Sequence, residues 1–234
     1  GSNATLAGPV VGGSGYAGTV VFSGANTYNY SGGTLINAGT LQLGSAYVIT
    51  SNAITSSPIG KRSITIAAGA TLDLNGNSFG SSSLTTNPTI TMSGTDSTAQ
   101  ASLINTSSTS AIVYAPIQLS SVTTVNTLAD VIAQVAGGSL TIKGLITGTT
   151  AGLQIGNTIN QTNYSGQVIF VGSAVTDATN SSYTTLTSVN SYATLDLQID
   201  SPNSANWVAL RSNYGGGGTI IIEPLTNGGS IGLG

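Results

Sequence analysis

Asp73 and Asp196 stand at the same place in two copies of a Thr-Leu-Asp-Leu tetrapeptide, Thr71–Leu74 and Thr194–Leu197. Paired carboxylates cleave glycosidic bonds, one as acid and the other as nucleophile or base, provided they stand within about 5–10 Å of each other. The two tetrapeptides are far apart in the chain, so their shared outward position marks a repeat and predicts solvated strand exteriors, not a site. Asp196 and Asp200 could share a face of one strand, but at about 3.3 Å per residue they would be roughly 13 Å apart, too far for an acid/base pair. The chain contains no His and no Cys, which removes imidazole and thiolate chemistry, disulfides and most zinc or copper sites. Serine is abundant, but Lys61 and Lys143 fall in turn-like or strand-exterior contexts, so no base is identifiable to activate a hydroxyl. Calcium sites on coiled repeats need Asp-dense turns, and none occurs. Gly13-Ser14-Gly15-Tyr16-Ala17-Gly18 has spaced glycines, but a dinucleotide site requires a strand before them and a helix after. Here the strand-like Thr19–Phe22 follows, and a glycine-rich turn is the better reading.

Aromatic side chains are the remaining source of recognition chemistry, because they stack on sugars or fill interfaces. The set is Tyr28, Tyr30, Tyr47, Tyr164, Tyr183, Tyr192, Tyr214 and Trp207. Their ordinary role is to plug loops against a fold. Tyr28 and Tyr30, beside Gly32-Gly33, and Trp207 are the candidates for ligand contact. No residue is assigned to catalysis, a cofactor or a metal, so the expectation is a protein that is not an enzyme.

The composition explains how such a chain can still fold. Of 234 residues, 39% are apolar but only 5% are charged, where an ordinary domain has about a quarter. Hydroxyls and amides must therefore solvate the surface. Seven acids against four bases give a net charge of −3, which argues against nucleic acid as a partner. No apolar run approaches the roughly 20 residues of a membrane helix, so no membrane insertion by this segment is expected. Gly1–Ala4 reads as a cloning remnant, and residues 5–234 as a single fragment of a longer polypeptide.

Short segments with period-two alternation recur: Thr40–Leu43, Ser63–Ile66, Thr71–Leu74, Thr89–Met92, Ser139–Ile142, Thr194–Leu197 and Thr219–Ile222. Each sends its apolar residues to one face. Their starts fall roughly 20 to 30 residues apart, with one longer gap, a spacing that marks solenoids or propellers. A sandwich of hairpins would call for tight Asn-Gly turns between closely spaced strands. Asn75-Gly76 is instead followed by Asn77–Gly80 and three serines, which favours a stacked coil with Gly or Asn at its corners. Thr127–Ala136 fits helical spacing at 128, 131, 132 and 135, but its β-branched residues favour a strand.

Gly18–Tyr28 running into Ser31–Gly44 resembles the autotransporter-associated β-strand repeat of bacterial passenger regions. Ser63–Gly76 is similar to the segment that usually follows, Gly138–Gly148 to the next unit's start, and Asn163-Tyr164-Ser165-Gly166 to a worn second corner. The resemblance spans residues 15–172; Asn29-Tyr30 is an insertion in it, and Lys61-Arg62 a basic pair where small neutral residues are usual. Residues 173–234 are similar to filamentous-haemagglutinin-like exoproteins. The resemblance implies an all-β, right-handed parallel β-helix of roughly 8–11 rungs, a rod about 40–50 Å long. It also implies an extracellular or bacterial cell-surface stalk or adhesin, exported by a self-translocating or two-partner route with the secretion domain elsewhere. The partners it implies are host-cell or matrix glycans, or further copies of the chain. A carbohydrate-binding or carbohydrate-degrading β-helix is the alternative.

Overall fold

Alternating Thr-Leu and Ser-Ile segments form strands because one face can be buried only if successive segments stack. The computed structural model describes residues 8–24, 32–94, 101–121, 127–133, 137–148, 151–156, 166–171, 187–190, 192–198, 210–213 and 218–223. They contain 21 strands and no helix. Six form the first sheet: β1 (Val10–Val11), β3 (Thr34–Ile36), β7 (Ile64–Ile66), β9 (Ile90–Gly94), β12 (Ile117–Ser121) and β15 (Ile146–Thr147). Eight form the second: β2 (Thr19–Phe22), β4 (Gly39–Leu43), β8 (Ala70–Asp73), β10 (Ser102–Asn105), β13 (Thr127–Ala133), β16 (Ala151–Ile155), β18 (Thr187–Asn190) and β20 (Leu210–Asn213). Five form the third: β11 (Ala111–Val113), β14 (Leu140–Ile142), β17 (Gln167–Val171), β19 (Thr194–Gln198) and β21 (Thr219–Glu223).

Every pairing within these sheets is parallel. From β9 to β17 the chain visits the first, second and third faces in turn, so the molecule is a parallel β-solenoid. The coil favoured over a sandwich is the one observed. Among the described residues the second face stacks eight strands, the first six and the third five, and the coil has about five turns, fewer than the expected 8–11. Eight strands about 4.8 Å apart give a rod of about 34 Å over the described strands, shorter than the expected 40–50 Å.

Turn length varies more than the alternation suggested. Val20 pairs with Leu41, 21 residues on, whereas Ile155 is matched to Val189, 34 residues on. A solenoid tolerates this because extra residues leave at the corners while the strands stay in register. The core is the inward row of each face: Leu41, Leu72 and Leu103 on the second, Ile64, Ile90, Ile117 and Ile146 on the first, Leu140, Val168 and Leu195 on the third, all buried. Each side chain contributes about 1.5–3 kcal/mol on burial. The sparsity of charge follows from the same stacking, since like charges on adjacent strands repel. Of the ambiguous Thr127–Ala136, Thr127–Ala133 is strand β13, because it is paired on both sides, to β10 and to β16, and residues 134–136 lie outside the described residues.

One element breaks the pattern. Between β4 and β7, at the third-face position, β5 (Val48–Thr50) and β6 (Ala53–Ser56) form an antiparallel hairpin. Its turn residues Ser51 and Asn52 have φ of 51° and 62°, the left-handed pair of a type I′ turn. Glycine adopts that conformation with least strain, so Asn52→Gly is expected to stabilise the hairpin by about 0.5 kcal/mol. Slower hydrogen exchange at the hairpin amides, with the core amides unchanged, checks it.

Candidate functional site

Asp73 sits at the end of β8, and by strand alternation with Leu72 and Leu74 its side chain leaves the coil outward. It is nevertheless 2% exposed. The solvated exterior predicted for it is therefore corrected: neighbours from the levels above and below cover it. Gln42 Nε2 donates to Oδ2 at 2.7 Å and Thr106 Oγ1 to the same oxygen at 2.6 Å. Oδ1 accepts from the Asn75 and Thr106 amides at 2.9 and 3.2 Å. One carboxylate thus ties together β4, the turn after β8 and the turn after β10.

Asp196 is also buried, at 3% exposure, and its predicted solvated position is likewise corrected. Gln167 and Gln198 donate to its Oδ2 at 3.0 and 3.1 Å, while Oδ1 has no partner among the described residues. The two Thr-Leu-Asp-Leu copies are not equivalent. Asp73 ends a strand of the second face, whereas Asp196 lies mid-strand on the third, so the supposed common repeat position does not exist in space. Asp73 has no carboxylate beside it in its hydrogen-bond set, whereas Asp196 lies on Ile221 and so has the exposed Glu223 as its diagonal neighbour on the next strand. Asp200 lies outside the described residues. Among the described residues no group of three or more acids could hold a metal ion.

The first turns differ from the rest at the third face. Where later turns place a strand, the chain places the β5–β6 hairpin and then a loop whose Phe79 bridges to Val113 of β11. Tyr47, at the hairpin's base, meets Phe79 edge to face, with centroids 5.1 Å apart and planes at 66°. The Thr34 hydroxyl donates to the buried carbonyl of Ile59 at 3.0 Å and fixes the hairpin's return. The Gly44 amide donates to Phe22 O, and Ser45 Oγ to Gly24 O. The hairpin's near stem is thereby joined to the stem of the segment carrying Tyr28 and Tyr30. Those two candidates, and Trp207, lie outside the described residues, as do Tyr164, Tyr183 and Tyr214. Tyr47 has the plugging role expected of such aromatics, and Tyr192 is exposed.

Residues 16–43 run from before β2 to the end of β4, its stacking partner, and so span one turn of the coil. Residues 16–43 match the passenger-associated-transport-repeat. Sequence repeat and structural turn therefore coincide: Thr19, Val20, Val21 and Phe22 open the repeat and lie in register on Thr40, Leu41, Gln42 and Leu43, which close it. No curated protein and no solved structure matches the chain. Sequence reasoning overlooked Tyr114, which lies under the Lys143 ammonium with Nζ 5.6 Å from the ring centroid. The only sequence signal was its aromatic character beside Pro116, because the residues are 29 apart and meet through stacking alone.

Proposed function

We propose that this chain is a structural segment of a bacterial autotransporter passenger, held outside the cell, which acts as a stalk with an adhesive surface and without catalysis. The observation that carries the reading is the passenger-associated-transport-repeat laid over one turn of a parallel β-solenoid. A solenoid suits export and display because each turn contacts only its neighbours, so the chain can fold progressively as it emerges. The hydrogen bonds to Asp73 support a non-catalytic role, since they commit that carboxylate to holding levels together. An epitope tag inserted between Ser51 and Asn52, in the complete reading frame expressed in a Gram-negative host, provides the test. Antibody labelling of intact cells, lost after external protease, is the expected outcome. A tag detected only after cell lysis would overturn it. Adhesion is read separately, as retention of tagged cells on glycan-coated surfaces.

A further inference from the structure

Lys61, Asn87, Tyr114 and Lys143 each stand three residues before an isoleucine that opens a strand of the first face: Ile64, Ile90, Ile117 and Ile146. Those isoleucines pair in succession, Ile64 with Ile90, Ile90 with Ile117 and Ile117 with Ile146. Backbone hydrogen bonds carry the register back into the corner, from Ile64 N to Thr89 O, Ile90 N to Pro116 O and Ile117 N to Leu145 O. The levels there touch directly, since a Cβ on Gly144 would lie 1.8 Å from Ala115 O. Lys61, Asn87, Tyr114 and Lys143 therefore occupy successive levels of one corner, and the two lysines are three spacings apart, about 14 Å.

This corner gathers Lys61, Arg62 and Lys143, three of the four cations in the chain. All three are exposed. Among the described residues Lys61 and Arg62 have no ion pair, and the Lys143 ammonium has only its contact with the Tyr114 ring. Asp73 and Asp196 are buried within other hydrogen-bond sets and do not screen them. Serines follow at the same corner, where the half-buried Ser81 and the exposed Ser83 share a hydroxyl contact at 2.9 Å and Asn87 holds the Ser81 backbone.

We propose that this corner binds an anionic polysaccharide laid along the coil axis, with Lys61 and Arg62 at one end of the bound stretch and Lys143, positioned by Tyr114, at the other. The spacing selects this polymer. A nucleic-acid strand carries a charge about every 3.4 Å, denser than three cations over about 14 Å can match. A uronic-acid polymer carries its carboxylates one per sugar, and its hydroxyls suit the neighbouring serines. The inference goes beyond the passenger reading and does not depend on how the chain is exported.

Polygalacturonate immobilised on a sensor surface, probed with the 234-residue chain, tests the proposal. Retention is expected at about 20 mM salt and its loss at about 300 mM, because exposed charges are screened. The double variant Lys61→Gln/Arg62→Gln is expected to bind about fivefold more weakly and Lys143→Gln about twofold. Tyr114→Phe should behave as the parent, and Tyr114→Leu as Lys143→Gln. Unchanged melting temperatures would confirm that the variants fold. No retention of the parent chain, equal retention of the variants, or equal retention on neutral dextran would each overturn the proposal. Equally strong retention on single-stranded DNA would do so too, by showing adhesion to any polyanion.

Discussion

Phe79→Ala is expected to destabilise the first turns by about 3–5 kcal/mol, the cost of emptying a fully buried aromatic site. Phe79 is 0% exposed. Its amide donates to Ile112 O and its carbonyl accepts from Tyr114 N, each at 2.8–2.9 Å. It is thus the single-residue rung that joins the hairpin level to β11. Tyr47 loses its edge-to-face partner in the variant. Because a solenoid's stability is a sum over neighbouring turns, the damage should remain local. Denaturant unfolding should separate an early transition, and hydrogen exchange should accelerate over residues 32–94 while β14, β17 and β19 keep their protection. Phe79→Leu, which fills much of the volume, should cost about 1 kcal/mol. A single cooperative shift of the whole molecule would mean that the turns are coupled more tightly than nearest neighbours.

The strands were legible because they depend on local alternation. Thr40–Leu43 and Ser63–Ile66 each declare an apolar and a polar face, and repetition at similar spacing requires stacking. The β5–β6 hairpin was not foreseen, because Val48-Ile49-Thr50 and Ala53-Ile54-Thr55 do not alternate apolar with polar residues. Alternation gives no strand direction, and Ser51-Asn52 is a weaker turn signal than Asn-Gly. The two Thr-Leu-Asp-Leu copies misled for a related reason. Their identity is local, but the face on which each lands is set by the turn lengths before it, and these run from 21 to 34 residues. The cation corner was hidden for the same cause, since Lys61 and Lys143 align only once the isoleucine ladder is fixed. The solvated exterior assigned to Asp73 failed because outward direction does not decide exposure when Gln42 and Thr106, from other turns, close over it.

That closure makes Asp73→Ala the second large effect, expected to cost about 3 kcal/mol. Removing the carboxylate strands two backbone amides, those of Asn75 and Thr106, together with the Gln42 amide and the Thr106 hydroxyl. A hydrogen bond to a charged group is worth about 1.5–3 kcal/mol, and donors left buried without an acceptor add their own desolvation cost. The four bonds will not add in full, because water can enter the gap beside the partly exposed Gln42. Asp73→Asn should cost less than Asp73→Ala. Its retained oxygen can still serve the two amides, and the Thr106 hydroxyl and Gln42 amide can each turn to present an oxygen to the new NH2. Asp196→Ala is the informative contrast. Asp196 is as buried as Asp73, yet among the described residues it accepts only from Gln167 and Gln198 and leaves Oδ1 unpartnered, so about 1 kcal/mol is expected. Equal losses in the two alanine variants, measured by denaturant melts, would mean that burial alone sets the cost. The larger loss at Asp73 would assign it to the bonds that join three successive turns.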